Sequence, residues 1–135
     1  MSALVLDASA LVALLIDGGP PGDWVSAEID GAFLAAPDLA MAETANVLRR
    51  YELSGRLEQV EATLAHEQLL VLPLQLWPYE AVALRAWELR RTVTSYDASY
   101  VALAELMDAD LVTLDQRLAR ASGPRCGLRT PPPLG

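Results

Sequence analysis

Four acidic residues, Asp7, Glu43, Asp97 and Asp115, stand out against the pattern of the chain around them. Asp7 directly follows the apolar run Ala3–Leu6, and Asp115 directly follows Leu111–Leu114. Asp97 falls in the first turn of a helical segment. Glu43 sits in the otherwise apolar first half of another, with no basic residue three or four positions away. Asn46 and Arg50, three and seven residues on, extend Glu43 into a polar stripe along one side of that helix. Carboxylates gathered around one rim repel each other, and desolvation drives some to protonate unless a cation lies among them. Oxygen donors suit hard ions: Mg²⁺ takes one or two carboxylates, keeps several waters and draws further oxygens from a phosphate, and Mn²⁺ accepts the same donors. Such an ion turns water into a nucleophile and offsets the charge of a phosphodiester's transition state, so metal-dependent phosphodiester cleavage is the chemistry these residues point to.

Each acid taken singly also has a purely structural reading. Asp7 and Asp115 can cap the helices that follow them, Asp97 suits the positive end of a helix dipole, and Glu43 is a good helix former on a solvated face. The coincidence of all four at one rim is what favours a shared ion. The remaining acids read as structural. Asp17, Asp23, Asp30, Asp108 and Asp110 fall in expected turns, and Glu52, Glu58, Glu61, Glu67, Glu80, Glu88 and Glu105 on helices that need solvated faces. His66 has no histidine or cysteine at ligand spacing and is read as structural too.

The elements that must position these residues alternate. Apolar runs at Ala3–Leu6, Phe33–Ala36, Leu69–Leu72 and Leu111–Leu114 read as buried strands, with Leu128–Thr130 as a weak fifth. Between them lie helical patterns. The first opens at Asp38 as N-cap and stops at Gly55; the second spans about 57–68. A third has Pro78 and Glu80 in its first turn and Arg90 and Arg91 in its last; a fourth, capped by Ser95, runs from Asp97 to about Met107. Gly18–Gly22 reads as a surface turn, and Pro131–Pro133 as an extended tail. Alternation of this kind predicts a three-layer α/β/α sandwich around a parallel sheet of four to five strands. Asp7 and Asp115 then lie at strand carboxyl ends, where open α/β sheets place their ligand crevice.

At 135 residues the chain is expected to form one domain over 1–135. Its apolar stretches fall short of the roughly 20 residues of a membrane span, and its first residues lack the basic flank of a secretory signal. With Cys126 alone no internal disulfide can form, which suits a cytoplasmic location. The net charge is −8, and all ten basic residues are arginines. That balance excludes a broad basic face for gripping duplex DNA, so any contact with nucleic acid must be local. Arginine suits this role through bidentate contact with phosphate, although genome composition explains the bias equally well. Arg50 and Arg117 are the candidate phosphate contacts, with Arg49 and Arg120 beside them; solvated helix faces account for all four as readily. Trp24, Trp77 and Trp87 read as core or interface residues.

Val5-Leu6-Asp7-Ala8-Ser9-Ala10, Ala42-Glu43-Thr44-Ala45-Asn46-Val47-Leu48, the segment 95–104 around Tyr96-Asp97-Ala98, and Leu111-Val112-Thr113-Leu114-Asp115 occur in an order and spacing that resembles the PIN-domain ribonucleases. The likeness is strongest to the VapC-type toxins of bacterial toxin–antitoxin pairs, and it covers nearly the whole chain. It implies Asp7, Glu43, Asp97 and Asp115 as an acidic quartet holding Mg²⁺ or Mn²⁺, with Ser9, Asn46 and Thr113 as supporting polar residues. It further implies an RNA substrate, homodimerisation and inhibition by a VapB-like antitoxin whose C-terminal segment occupies the crevice. A response-regulator receiver would need an acidic pair after the first strand and a lysine after the last; here Ala8 and Ser9 follow Asp7, and lysine is absent. A haloacid-dehalogenase-like phosphatase would need an aspartate where Ser9 stands. The rival from another class is a non-catalytic or housekeeping RNA-binding protein of the same fold.

Overall fold

The computed structural model describes residues 2–16 and 18–133, so the turn expected at Asp17 lies outside the described residues. The chain begins with a fully apolar strand, β1 (Ala3–Leu6), and passes at once into α1 (Ala8–Leu15), which buries most of its length. Pro20 and Pro21 open α2 (Pro20–Ile29), where a missing N–H costs nothing. The turn expected across Gly18–Gly22 is therefore cut short at Gly19. Gly22 is a packing residue: a Cβ there would lie 2.6 Å from the carbonyl oxygen of Ala13, so glycine lets α2 close onto α1. Asp23 likewise belongs to the first turn of α2, not to a loop.

Next come β2 (Phe33–Pro37), α3 (Leu39–Leu53), α4 (Gln59–Val71), β3 (Leu74–Trp77), α5 (Ala83–Glu88), α6 (Ser95–Leu106), β4 (Asp110–Val112), α7 (Gln116–Ala119) and β5 (Leu128–Arg129). The five strands are all parallel, in the order β3-β2-β1-β4-β5. From β1 the chain steps outward through β2 to β3, then returns past both to β4 and β5. Right-handed crossovers taken in opposite directions put their helices on opposite faces. α1 and α3 accordingly meet β1 and β2 on one face, while α6 lies across β1, β2 and β4 on the other, with α5 beside it. The three-layer sandwich expected from the alternation is the observed one, with five strands.

Further local expectations are corrected. Leu69–Leu72 is no strand: Ala62, Ala65 and Leu69 are buried at helical spacing, while Leu70 and Val71 are exposed, so these residues form the last turn of α4. Pro73 holds Leu72 extended, and the strand forms beyond it at Leu74–Trp77. Asp38 holds the N-cap position of α3 as expected, but with a helical backbone conformation and no hydrogen bond from its side chain to the helix. Before α6 the cap is Thr94, whose hydroxyl accepts from the Asp97 N–H at 3.1 Å, and Ser95 is already helical.

The segment after Pro78 makes one 3₁₀ turn at Tyr79–Ala81 before α5, because Val82 is anchored in the core with a non-helical backbone. Asp110 opens β4 and pairs with Arg129 at 2.8 Å. Trp24 and Trp77 pack on the core as expected, whereas Trp87 is exposed with the Arg90 guanidinium 4.6 Å above its ring. Among the described residues no helix is long and apolar enough to cross a membrane.

Candidate functional site

Because the chain reverses direction between them, β1 and β4 form the topological switch point of the sheet. Their carboxyl ends open the crevice where such folds bind ligands. Asp7 continues β1 there, its N–H donating to the Val112 carbonyl at 3.2 Å. Thr113 and Leu114 lead from β4 to Asp115. α6 brings Asp97 over the same end in its first turn, and α3 supplies Glu43 from the flank.

Asp7 is buried, with about 5% of its surface exposed. Its Oδ1 accepts from the Ser9 hydroxyl at 2.6 Å and the Ala10 N–H at 3.0 Å, and its Oδ2 accepts from the Thr113 hydroxyl. Ser9 in turn accepts from the Leu114 N–H at 2.9 Å, and Thr113 from the Asp115 N–H at 3.0 Å. These bonds join the two strand-end loops into one polar knot around a single carboxylate. Burial pushes the Asp7 carboxyl up from its ordinary range, the negative charge of Asp97 adds to that, and the three donors pull the other way.

Asp115 does cap α7, accepting from the Arg117 and Leu118 N–H groups at 2.9 and 3.3 Å through one oxygen, Oδ1. Capping and ion binding are compatible, since an ionised carboxylate offers about four acceptor positions. Asp97 and Asp115 line one hollow of about 280 Å³ together with Thr94 and Arg117. Arg117 lies 3.6 Å from Asp115 with its side chain 90% exposed, a contact of little energy. Glu43 is half-buried and joins the group through a residue to which sequence reasoning assigned no role. The buried Tyr100 hydroxyl donates to Glu43 Oε1 at 2.6 Å. Burial, that bond, and the charges of Glu43, Asp7 and Asp97 all push the Tyr100 phenol well above its ordinary range. The signal was present in the sequence: a phenol in the apolar run 98–104, which must find a partner when buried.

The chain thus brings together Asp7, Ser9 and Thr113 through hydrogen bonds, Asp97 with Asp7 and Asp115 through their charges, and Glu43 through Tyr100. Asn46 is exposed and has no hydrogen bond to the acids among the described residues, and Arg49, Arg50 and Arg120 are exposed as well. Among the described residues, no three acid, histidine or cysteine side chains already enclose a space for an ion. The donor set still fits Mg²⁺ or Mn²⁺. It is all oxygen, it repels itself, and it opens to solvent on the Asp97–Asp115 side, as suits an ion that keeps waters and takes oxygens from a phosphate.

The Asp97 carboxyl is raised by burial first and by Asp115 second; the Thr94 bond and Arg117 only partly offset this. Such a group supports folding fully only below the ordinary aspartate range, and the support is lost as pH rises through its raised value. At neutral pH the ionised Asp97 therefore strains the metal-free chain, beyond the modest benefit of a first-turn acid. Asp97→Asn is expected to raise the melting temperature of metal-free protein by roughly 2–4 °C at neutral pH, with the gain shrinking in acid. Thermal melts at two pH values in EDTA check this, and a lower melting temperature at neutral pH would contradict it.

An all-parallel five-stranded sheet with acids at its switch point defines the class, a PIN-like α/β/α fold, and the sequence pattern of the PIN domain family matches residues 4–124. The chain is 35% identical over 129 residues to the VapC ribonuclease Mb0985 of Mycobacterium bovis, covering 96% of this chain and 98% of that one. The chain belongs to the PIN domain family and, within it, to the VapC ribonucleases. Among solved structures, that of PAE2754 from Pyrobaculum aerophilum superposes with a TM-score of 0.65 at 26% identity, over 94% of this chain and 83% of that one. A toxin–antitoxin complex from Klebsiella pneumoniae matches with a TM-score of 0.65 at 17% identity, over 96% of this chain and 97% of that one, a likeness of fold alone.

Proposed function

We propose that this chain is a cytoplasmic, metal-dependent endoribonuclease acting as the toxin of a type II toxin–antitoxin pair. The observation that best supports the reading is the hollow shared by Asp97 and Asp115 at the switch point, beside the buried Asp7, with Glu43 held by Tyr100 on the other side. Asp7, Glu43, Asp97 and Asp115 would hold Mg²⁺ or Mn²⁺. When bound, such an ion supplies Lewis acidity that activates water and offsets the negative charge growing on the phosphate. The protein does the rest. Ser9, Thr113 and the Ala10 N–H fix Asp7 in a buried place and offset part of the cost of its charge there, and Tyr100 holds Glu43 by one oxygen. Asp97 and Asp115 leave the outer side open for a phosphate, beside Arg117.

A partner of opposite charge suits the same pocket. A basic side chain from a VapB-like antitoxin would satisfy the acids and bar the substrate at once. Exposed apolar side chains on α4 and α5, among them Leu64, Leu70, Val71, Leu84 and Trp87, support protein contacts, including a homodimer. The test is cleavage of a labelled structured RNA by the purified chain. Cutting is expected with Mn²⁺, should stop with excess EDTA, and should return when Mn²⁺ is restored. Cutting that persists in EDTA would overturn the metal step, and RNA left intact with Mn²⁺ would leave a non-catalytic binding protein.

A further inference from the structure

A groove of about 550 Å³ lies between α1, the start of α2 and α3, next to the acidic rim through Ser9 and Leu114. Ser9, which holds Asp7, stands at its inner end; Val12 and Val47 form apolar walls; Arg50, Tyr51 and Arg56 close its outer end. We propose that this groove seats one nucleotide of the RNA strand beside the phosphate to be cut, its base against the apolar walls and its phosphate on Arg50. The inference rests on the nuclease reading and deepens it.

Three physical arguments meet here. A polymer held for cutting must leave the rim on two sides. One side opens at Asp97, Asp115 and Arg117, and the other opens through Ser9 into this groove. In a chain of net charge −8, a polyanion needs local cations, and two of the ten arginines stand at the groove's outer end. The Arg56 guanidinium lies 3.8 Å over the Tyr51 ring, giving a flat, cationic wall of the kind on which unpaired bases stack. The volume also falls in the range of small-molecule pockets, enough for a base and its sugar. A peptide could use the apolar walls, but the outer cations ask for an anionic backbone, which RNA carries at every residue. Arg50 lies two turns along α3 from Glu43, so one rigid helix would set the distance between the cut and the base that is sensed.

The experiment measures binding of a labelled single-stranded oligoribonucleotide in EDTA, by fluorescence anisotropy across a salt series, together with a map of cut ends in Mn²⁺. Arg50→Ala is expected to weaken binding about tenfold and to lower the slope of log affinity against log salt by about 0.7, the share of one phosphate contact on a single strand. Val47→Trp, which fills the groove, should redistribute the cut sites; Arg50 is exposed, so its variant decides the matter if Val47→Trp fails to fold. Unchanged affinity and slope in Arg50→Ala, with the wild type still binding, would overturn the groove alone. A wild type that neither binds the oligoribonucleotide in EDTA nor cuts it in Mn²⁺ would overturn the nuclease reading beneath it. Unchanged RNA binding with a weakened antitoxin complex would give the groove to a peptide and overturn the proposal.

Discussion

Asp7→Asn is expected to slow RNA cleavage by at least about 10²-fold while the chain stays folded, since Lewis-acid assistance contributes several kcal/mol and each 1.4 kcal/mol is a factor of ten. Asparagine has the shape of aspartate. Its oxygen can still accept from Ser9 and the Ala10 N–H, and the Thr113 hydroxyl can rotate to accept from its amide. What is lost is charge and one oxygen. Burial already presses Asp7 toward its neutral form, so a neutral isostere removes an electrostatic burden along with the function, and the melting temperature should stay within a few degrees of the wild type. Single-turnover cleavage in Mn²⁺, paired with thermal melts, separates the two effects. A rate within tenfold of the wild type would remove Asp7 from the proposed chemistry.

The strands on either side of the crevice were legible because their signals are local: a short apolar run, then an acid, at Leu6-Asp7 and again near Asp115. Their adjacency was not local. It follows from the strand order, which returns β4 to the side of β1, and no residue near Asp7 encodes that by itself. Leu69–Leu72 shows the opposite failure. Four apolar residues in a row fit a strand and a helix end equally, and the decision came from outside the run, through the inward stripe of Ala62 and Ala65 and the stop at Pro73. The cap before α6 fell one residue away from Ser95, at Thr94, because neighbouring polar residues compete for one backbone N–H and only geometry chooses between them, whereas Asp38 holds its expected cap position without its side chain bonding the helix. Asn46 shares the polar stripe of Glu43 yet faces solvent, since positions three apart on a helix diverge enough at the rim for one to face inward and the other out.

Tyr100→Phe is expected to weaken Mn²⁺ binding about tenfold, within the range seen when a group that orients a metal ligand is removed. The phenol is nearly fully buried and places its one polar atom against Glu43 Oε1. Phenylalanine fills the same volume, so the core over β1, β2 and β4 should keep its packing. Glu43, being half-buried, can replace the lost donor with water. The destabilisation should therefore stay near 1 kcal/mol, the usual net value of one hydrogen bond, while the carboxylate gains freedom to turn away from the rim. If Tyr100 acts through Glu43, its loss adds little once Glu43 is gone. Calorimetric titration of Mn²⁺ into the wild type, Tyr100→Phe, Glu43→Gln and the double variant measures that coupling directly. Equal losses from Tyr100→Phe with and without the glutamate would mean that the ring acts on the core alone; so would full affinity in the single variant, and either result would leave Glu43 unassisted.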